Sequence, residues 1–276
     1  MLTKLGILAG GGALPASIID ACRSINREVF VIAFEGHTDQ KTCANIPHKW
    51  MSLGKVNAII KQLKNEKCQE VVLVGQIRRP SLGDLKLDMR GIKILGNLRK
   101  KINQGDNAIL SLVVKELEAE GISVVAVDDI LPDVTALSGH ISENIPDSRD
   151  HADIKLGCKV AMQLGTLDIG QSVIVQDGVV LGVEAVEGTD ALIRRCKALK
   201  GQGKAKLQGG VLIKIKKPEQ ERRADLPTIG LNTIRNSADA QLNGIAIQAA
   251  ETLIVDPVKV VAEANKLQLF LFGMRF

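Results

Sequence analysis

The chain has 276 residues, 45% hydrophobic and 24% charged, with a net charge of +5 at pH 7. This length allows one large or two moderate hydrophobic cores. The excess of basic residues is spread along the chain, so an anionic small molecule or a membrane surface is as plausible a partner as nucleic acid. Aromatic residues make up 2% and Tyr is absent; because single-strand binding relies on aromatic platforms, we expect no nucleic-acid partner.

The cysteines and the first residues indicate the compartment. Five cysteines, an odd number without a C-x-x-C pair, predict neither a disulfide framework nor a zinc knuckle. The first residues lack the charged and long apolar regions of a signal peptide, and no apolar run reaches the roughly 18 residues of a spanning helix. These patterns predict a cytoplasmic protein and leave open a reversible contact with the inner face of a membrane.

The first half of the chain alternates predicted strands with predicted helices. The strands are at 5–9, 28–34, 70–74 and 123–127, and the helices at 14–25, 56–64 and 108–120. Such alternation is typical of a parallel sheet covered by helices. We therefore predict a Rossmann-like, doubly wound α/β domain over residues 1–134, ending where the alternation lapses near Asp133.

The second half has a different pattern. Two strand-like runs flank Asp177-Gly178, a pair that favours a type I′ hairpin turn because both positions need positive φ. The remaining predicted elements are helices at 150–164, 191–199 and 257–266 and strands at 211–216, 245–249 and 269–272. We predict a second, mixed α/β domain over residues 135–276.

A glycine run, Gly10-Gly11-Gly12, lies between the first strand and the first helix, where glycines let a backbone approach phosphate. Glu35 ends the second strand, in the place of a ribose-binding acid. Pro15, however, replaces the third glycine of the dinucleotide pattern G-x-G-x-x-G. A dinucleotide loop, a plain tight turn and a site for another nucleotide or phosphate all remain open.

Two further segments carry cations. Gln76 and Arg79 follow the third strand at the carboxyl edge, where open α/β sheets bind ligands; a solvated loop is the alternative. In the run 211–216, Lys214 and Lys216 alternate with isoleucines, which predicts one basic face and one buried face. An ordinary half-exposed strand is the alternative there.

Carboxylates complete the candidate chemistry. Asp225 follows Arg222-Arg223, and a site that holds a polyanion and activates a water or a metal needs both charge signs together. Glu184, Glu187 and Asp190 surround Thr189, where a hydroxyl and backbone N–H groups would meet phosphate; a helix N-cap is the alternative. The four histidines form no metal-binding pair, so carboxylates would hold Mg²⁺.

Residues 5–15, 183–190 and 217–230 together resemble the LpxI-type UDP-2,3-diacylglucosamine pyrophosphatases of lipid A biosynthesis in Gram-negative bacteria. The resemblance covers nearly the whole chain. It implies Mg²⁺-dependent hydrolysis of a lipid-linked UDP-sugar, UDP-2,3-diacylglucosamine, to UMP and 2,3-diacylglucosamine 1-phosphate (lipid X), with transient contact with the inner membrane; a homodimer is left open.

The resemblance implies a role for Asp225, and the residue patterns give the other expected site residues. Asp225 matches the acidic residue of catalysis, and Asp225 and Asp190 are the expected metal ligands. The expected substrate-binding residues are Gly11, Gly12, Leu14, Gln76, Arg79, Thr189, Lys214 and Thr228. Two other functions stay open: a nucleotide-sugar or dinucleotide-dependent oxidoreductase, and a non-catalytic UDP-sugar binding protein.

Overall fold

The computed structural model of the chain describes residues 2–78, 86–100 and 106–276, with side chains except at 95, 97–100, 106 and 107. Contacts divide the chain into two compact units. Unit 1 is Met1–Pro132 with Glu221–Asp225, and unit 2 is Asp133–Gln220 with Leu226–Phe276. The domain boundary between residues 134 and 135 stays a prediction. The predicted second domain, 135–276, includes the segment Glu221–Asp225, which the contacts assign to unit 1.

Unit 1 contains a five-stranded sheet of order β3-β2-β1-β4-β5 in which every pair is parallel. Its strands are β1 (Leu5–Ala9), β2 (Val29–Phe34), β3 (His48–Met51), β4 (Glu70–Val74) and β5 (Ser123–Val125). Its helices are α1 (Leu14–Ser24), α2 (Val56–Asn65), α3 (Met89–Lys100), α4 (Asp106–Ala119) and α5 (Val127–Ile130). The predicted α/β class with a doubly wound parallel sheet is confirmed.

The sequence pattern misses β3 and α3 and makes the fifth strand too long. β3 lies at the edge of the sheet with two exposed residues, His48 and Lys49, so it lacks the apolar run of the central strands. Val127 lies in the short helix α5 rather than in β5, because the Asp129 carboxylate accepts the Ala126 N–H at 2.8 Å and starts a helical turn there.

Unit 2 contains a six-stranded mixed sheet of order β6-β13-β11-β9-β7-β8 and a two-stranded parallel sheet, β10-β12. Its strands are β6 (Gly139–His140), β7 (Ser172–Gln176), β8 (Val179–Val183), β9 (Val211–Lys214), β10 (Thr228–Ile229), β11 (Gly244–Gln248), β12 (Leu253–Ile254) and β13 (Phe270–Met274). Its helices are α6 (Ser148–Thr166), α7 (Thr189–Gly201), α8 (Leu231–Asp239) and α9 (Pro257–Lys266). The two-residue strands are too short to show a sequence period, and helix α8 has only three apolar residues, Leu231, Ile234 and Ala238. None of these elements was predicted.

Both faces of the large sheet are covered. Alternate residues of β9 pack into different clusters, Leu212 with residues of α7, α8 and α9, and Ile213 with residues of α6. Lys214 is accordingly buried, with 6% of its surface exposed. The prediction of an open basic strand face is wrong, since the alternation is present but a helical layer covers the lysine side as well.

The predicted hairpin turn is confirmed. Asp177 has φ 49° and Gly178 has φ 78°, as a type I′ turn requires. The buried Asp153 carboxylate on α6 accepts the backbone N–H groups of both turn residues, at 2.8 Å and 2.7 Å. This contact ties the turn that joins β7 to β8 to the helix across the sheet face.

Among the described residues, no helix combines the length and the apolar character that a membrane crossing requires.

A buried lysine joins two loops of unit 2. Lys200, near the end of α7, is 3% exposed, and its Nζ donates to the carbonyl oxygens of Gly209, Ala240 and Gln241 at 2.6, 3.0 and 3.2 Å. Burial lowers the pKa of Lys200 to about 8, so the ammonium form prevails at pH 7. The side chain thus supplies the donors that these buried carbonyls need.

Replacing Lys200 with Met should lower the free energy of unfolding by about 1–3 kcal/mol, because the buried carbonyls lose a charged donor. Chemical denaturation at pH 7 measures the change. The matched control is Lys197→Met on the same helix, where the ammonium group pairs with exposed Asp239 at 2.7 Å and contributes at most about 1 kcal/mol. Equal losses in both variants would contradict the anchoring role of Lys200.

Candidate functional site

The glycine loop of unit 1 lies at the carboxyl ends of β1 and β4, where the strand order reverses and open α/β sheets bind ligands. Gly11 and Gln76 exchange two backbone hydrogen bonds of 2.9 Å. A Cβ atom on Gly10 would lie 2.6 Å from the Gln76 carbonyl oxygen, and one on Gly75 would lie 2.7 Å from that of Gly11. The glycines therefore allow the two loops to contact each other directly.

A carboxylate faces the glycine loop. Gly12 has φ +90°, and its N–H donates to Asp39 Oδ2 at 3.3 Å. Pro15 is the second residue of α1 and has no N–H. The loop thus presents fewer donors to an anion than a dinucleotide loop does, which weighs against the pyrophosphate of a dinucleotide; no motif in the sequence pointed to Asp39.

The other predicted residues of unit 1 have different surroundings. Gln76 is exposed beside the glycine loop, and Glu35 is exposed at the end of β2 as predicted. Leu14 is only 8% exposed and belongs to the core, so most of its side chain packs inside unit 1. Arg79 lies outside the described residues.

The two arginines before Asp225 make ion pairs with carboxylates of unit 1. Both terminal nitrogens of Arg222 donate to the Asp128 carboxylate, and Arg223 donates to Glu221 at 2.9 and 3.0 Å and to Glu118. The hydrogen bonds from Arg223 lower the pKa of Glu221. We call Glu221–Asp225 the anchor segment, because these pairs attach it to α4 and α5.

Asp225 ends the anchor segment, half-buried, and its backbone N–H donates to the Glu221 carbonyl oxygen at 2.9 Å. The sequence predicted that Arg222 and Arg223 surround the Asp225 carboxylate. It did not predict their ion pairs with Asp128 of α5 and Glu118 of α4, which lie far away in sequence. Thr228, in unit 2, donates its hydroxyl to the Leu226 carbonyl oxygen at 3.0 Å.

In unit 2, two predicted residues meet in a buried polar cluster. Lys214 Nζ donates to Thr189 Oγ1 at 2.9 Å, and Thr189 Oγ1 donates to Glu184 Oε1 at 2.9 Å. Ser172 Oγ lies 3.2 Å from Thr189 Oγ1, and Ser172 stands opposite Lys214 in the pairing of β7 with β9. We call Ser172, Glu184, Thr189 and Lys214 the Thr189 cluster. Nothing in the sequence singled out Ser172, because a serine at the start of a strand is common.

The cluster lies at the N-terminus of α7. The N-cap of this helix is Gly188, with φ 80° and no side-chain cap, so the alternative of Thr189 or Asp190 as an N-cap is wrong. Thr189 and Asp190 are instead the first two helical residues. Free N–H groups and the helix dipole give this end a partial positive charge.

The expected metal ligands fit Mg²⁺ by their donor chemistry. Within residues 2–78, 86–100 and 106–276, no group of three or more His, Cys, Asp or Glu side chains is arranged to hold a metal ion. Mg²⁺ commonly binds through one or two carboxylates together with substrate phosphates and waters. Asp225 and Asp190 each carry a carboxylate, the kind of oxygen donor that Mg²⁺ prefers.

Solved structures give weak similarities. UDP-glucose 4-epimerase of Thermus thermophilus, in complex with NAD, is 12% identical with a TM-score of 0.32, covering 96% of this chain and 97% of that one. N5-carboxyaminoimidazole synthase of Aspergillus clavatus is 19% identical with a TM-score of 0.23, covering 72% and 44%. At these scores neither carries an argument about fold or function.

Sequence comparisons are decisive. The family models "LpxI N-terminal domain" and "LpxI C-terminal domain" match residues 4–134 and 137–272. The UDP-2,3-diacylglucosamine pyrophosphatase LpxI of Caulobacter vibrioides is 38% identical over 277 residues, which cover 99% of this chain and 98% of that protein. Both family models and this relative agree along nearly the full length, and the chain therefore belongs to the LpxI family.

Proposed function

We propose that this chain hydrolyses the diphosphate of UDP-2,3-diacylglucosamine to UMP and 2,3-diacylglucosamine 1-phosphate. The observation that carries the proposal is the 38% identity, over 99% of the chain, to a relative named for pyrophosphatase activity on this substrate. The chemistry of the expected residues supports it, since a buried ammonium group and a helix N-terminus suit a diphosphate and carboxylates suit Mg²⁺.

The proposed nucleotide contacts are in unit 1. Gly11, Gly12 and Gln76 lie at the carboxyl edge of the sheet, at the reversal of strand order that serves as a ligand crevice in this architecture. Leu14 and Arg79 are proposed with them. Because Leu14 is largely buried, its proposed contribution is the remaining exposed edge and the backbone N–H at the start of α1.

The proposed catalytic residue is Asp225. A carboxylate in this role orients the attacking water and accepts its proton. The ion pairs of Arg222 and Arg223 hold the anchor segment, which supports a fixed position for Asp225. Asp225 and Asp190 are the proposed ligands of Mg²⁺, and the ion would supply positive charge to neutralise the diphosphate.

The proposed phosphate contacts of unit 2 are Lys214 and the N-terminal turn of α7, which begins at Thr189. A buried ammonium group next to helix N–H donors favours an oxyanion. Thr228 is the remaining proposed substrate contact, at the start of the short strand β10.

A substrate with two acyl chains resides in a membrane, so the proposed function includes transient contact of a cytoplasmic chain with the inner membrane surface. The net charge of +5 supports attraction to anionic lipid. A homodimer stays a prediction, which light scattering of the purified protein tests.

Incubation of the purified protein with UDP-2,3-diacylglucosamine and Mg²⁺ tests the proposed function, with UMP and lipid X as the readouts. Release of both in equal amounts supports it. Binding of the substrate without release of UMP would identify a non-catalytic binding protein. An absorbance change of NAD(P)H with a nucleotide-sugar would instead identify an oxidoreductase.

The anchor segment gives a further prediction. Asp128→Asn removes the charge that Arg222 pairs with, so Asp225 should be less well positioned. We expect kcat to fall roughly tenfold, which is less than the roughly hundredfold loss that a 1 Å misplacement causes. Steady-state kinetics measure this. Asp20→Asn is the matched control in unit 1, because Asp20 pairs with Arg23 at 3.1 Å on an exposed surface; an equal fall in kcat there would contradict the prediction.

A further inference from the structure

Glu184 is a buried carboxylate directly after β8, with 6% of its surface exposed. Its backbone N–H donates to the Ser172 carbonyl oxygen at 2.8 Å, and its Oε2 accepts the Gln171 N–H at 3.3 Å. The backbone at Gly170 is so close that a Cβ atom on this residue would lie 2.0 Å from the Glu184 carbonyl oxygen. Backbone contacts on both sides therefore fix the position of this carboxylate.

The hydrogen bonds of the Thr189 cluster run in one direction. An ammonium group only donates and a carboxylate only accepts, so Thr189 Oγ1 accepts from Lys214 and gives its single proton to Glu184. Ser172, at 3.2 Å, must then donate into the second lone pair of Thr189. The Thr189 hydroxyl thus makes one donated and two accepted hydrogen bonds, which leaves it none for a ligand. Through the bond from Lys214, it fixes the position of the ammonium group.

Lys214 keeps donors for a ligand. Its ammonium group has three N–H donors, and among the described residues its side-chain hydrogen bond is the one to Thr189. Lys214 as a whole residue is 6% exposed. Its ammonium group contacts Thr189, the first residue of α7, where backbone N–H groups also favour an anion. A buried cation with spare donors at this place fits a phosphate oxygen.

We propose that Glu184 is a positioning residue that acts through Thr189, directing the ammonium group of Lys214 toward a phosphate oxygen of the substrate. The inference rests on the proposed function, since the phosphate is that of UDP-2,3-diacylglucosamine. Glu184 supplies the negative charge that compensates the buried Lys214 and orients the Thr189 hydroxyl. It does not itself contact substrate.

A double-mutant cycle tests this coupling. Glu184→Gln and Lys214→Met should each lower kcat/KM by about tenfold to a hundredfold, mainly through KM, as expected for a lost hydrogen bond to a charged group. The double variant should be no worse than the worse single variant, because both changes remove the same contact. Losses that multiply in the double variant would overturn the inference.

Changes at Thr189 provide a second test that does not depend on the Glu184 variant folding. Thr189→Ser keeps the hydroxyl and should retain kcat/KM within about threefold, whereas Thr189→Val should match Lys214→Met. Asp153→Asn is the control for loss of another buried carboxylate of unit 2, and it should lower Tm while kcat/KM is maintained. Equal kcat/KM in the Ser and Val variants would refute the role of the hydroxyl; no UMP from the unaltered protein would refute the proposed function and the inference together.

Discussion

Asp225→Asn should lower kcat by at least about a hundredfold, the scale expected when an acid–base or electrostatic group is lost. The substitution keeps the shape of the side chain and removes its charge and its basicity. Substrate affinity should survive, because the proposed contacts with the nucleotide and the phosphates come from other residues. Single-turnover kinetics with a separate binding measurement distinguish these two effects.

The matched control for Asp225→Asn is Asp239→Asn. The Asp239 side chain is 63% exposed and pairs with Lys197 on the surface of unit 2, so its loss should leave kcat unchanged. Turnover near that of the unaltered protein in a folded Asp225→Asn variant would remove Asp225 from the mechanism. A comparable fall in both variants would point to a general charge effect instead.

Labelled water gives the direction of attack in the same reaction. Attack on either phosphorus yields the same two products, and only the product that carries the ¹⁸O label differs. The family resemblance implies attack on the β-phosphorus, so mass spectrometry should find the label in lipid X. Label in UMP would contradict this direction.

Periodicity accounts for the parts of the fold that were predicted. The buried runs of β1 and β4 and the hairpin around Asp177-Gly178 agree with the structure because each carries its signal within a few neighbouring residues. Edge strand β3 and the two-residue strands β10 and β12 were missed, since their stability comes from pairing partners elsewhere in the chain.

The candidate site was predictable at the level of residue types and less so in its contacts. Lys214 stood out as a lysine among isoleucines, but only the tertiary layers show that α7 covers it. Arg222 and Arg223 stood out beside Asp225, yet Arg222 pairs with Asp128, 94 residues away. Ion pairs between residues so far apart leave no local pattern in the sequence. The sequence therefore suggested arginines that bind a ligand, whereas in the structure these arginines pair with carboxylates of α4 and α5.

The fold itself has other sources of stability than a metal ion. In unit 1 the buried core joins the sheet to α2 and α4, and in unit 2 two clusters cover the faces of the large sheet. These apolar contacts, together with buried hydrogen bonds such as those of Lys200, stabilise each unit. Metal removal should therefore act on turnover and leave folding intact.

Exhaustive chelation with EDTA should abolish UMP release, because the diphosphate charge then remains unneutralised beside the Asp225 carboxylate. Adding Mg²⁺ in excess of the chelator should restore the full rate, whereas Tm should be the same before and after chelation, as measured by differential scanning calorimetry. Asp225→Asn provides the comparison, since it should stay slow at every Mg²⁺ concentration. Full turnover in the metal-free protein would exclude a divalent ion from the reaction, and a large fall in Tm on chelation would show that the metal contributes to folding.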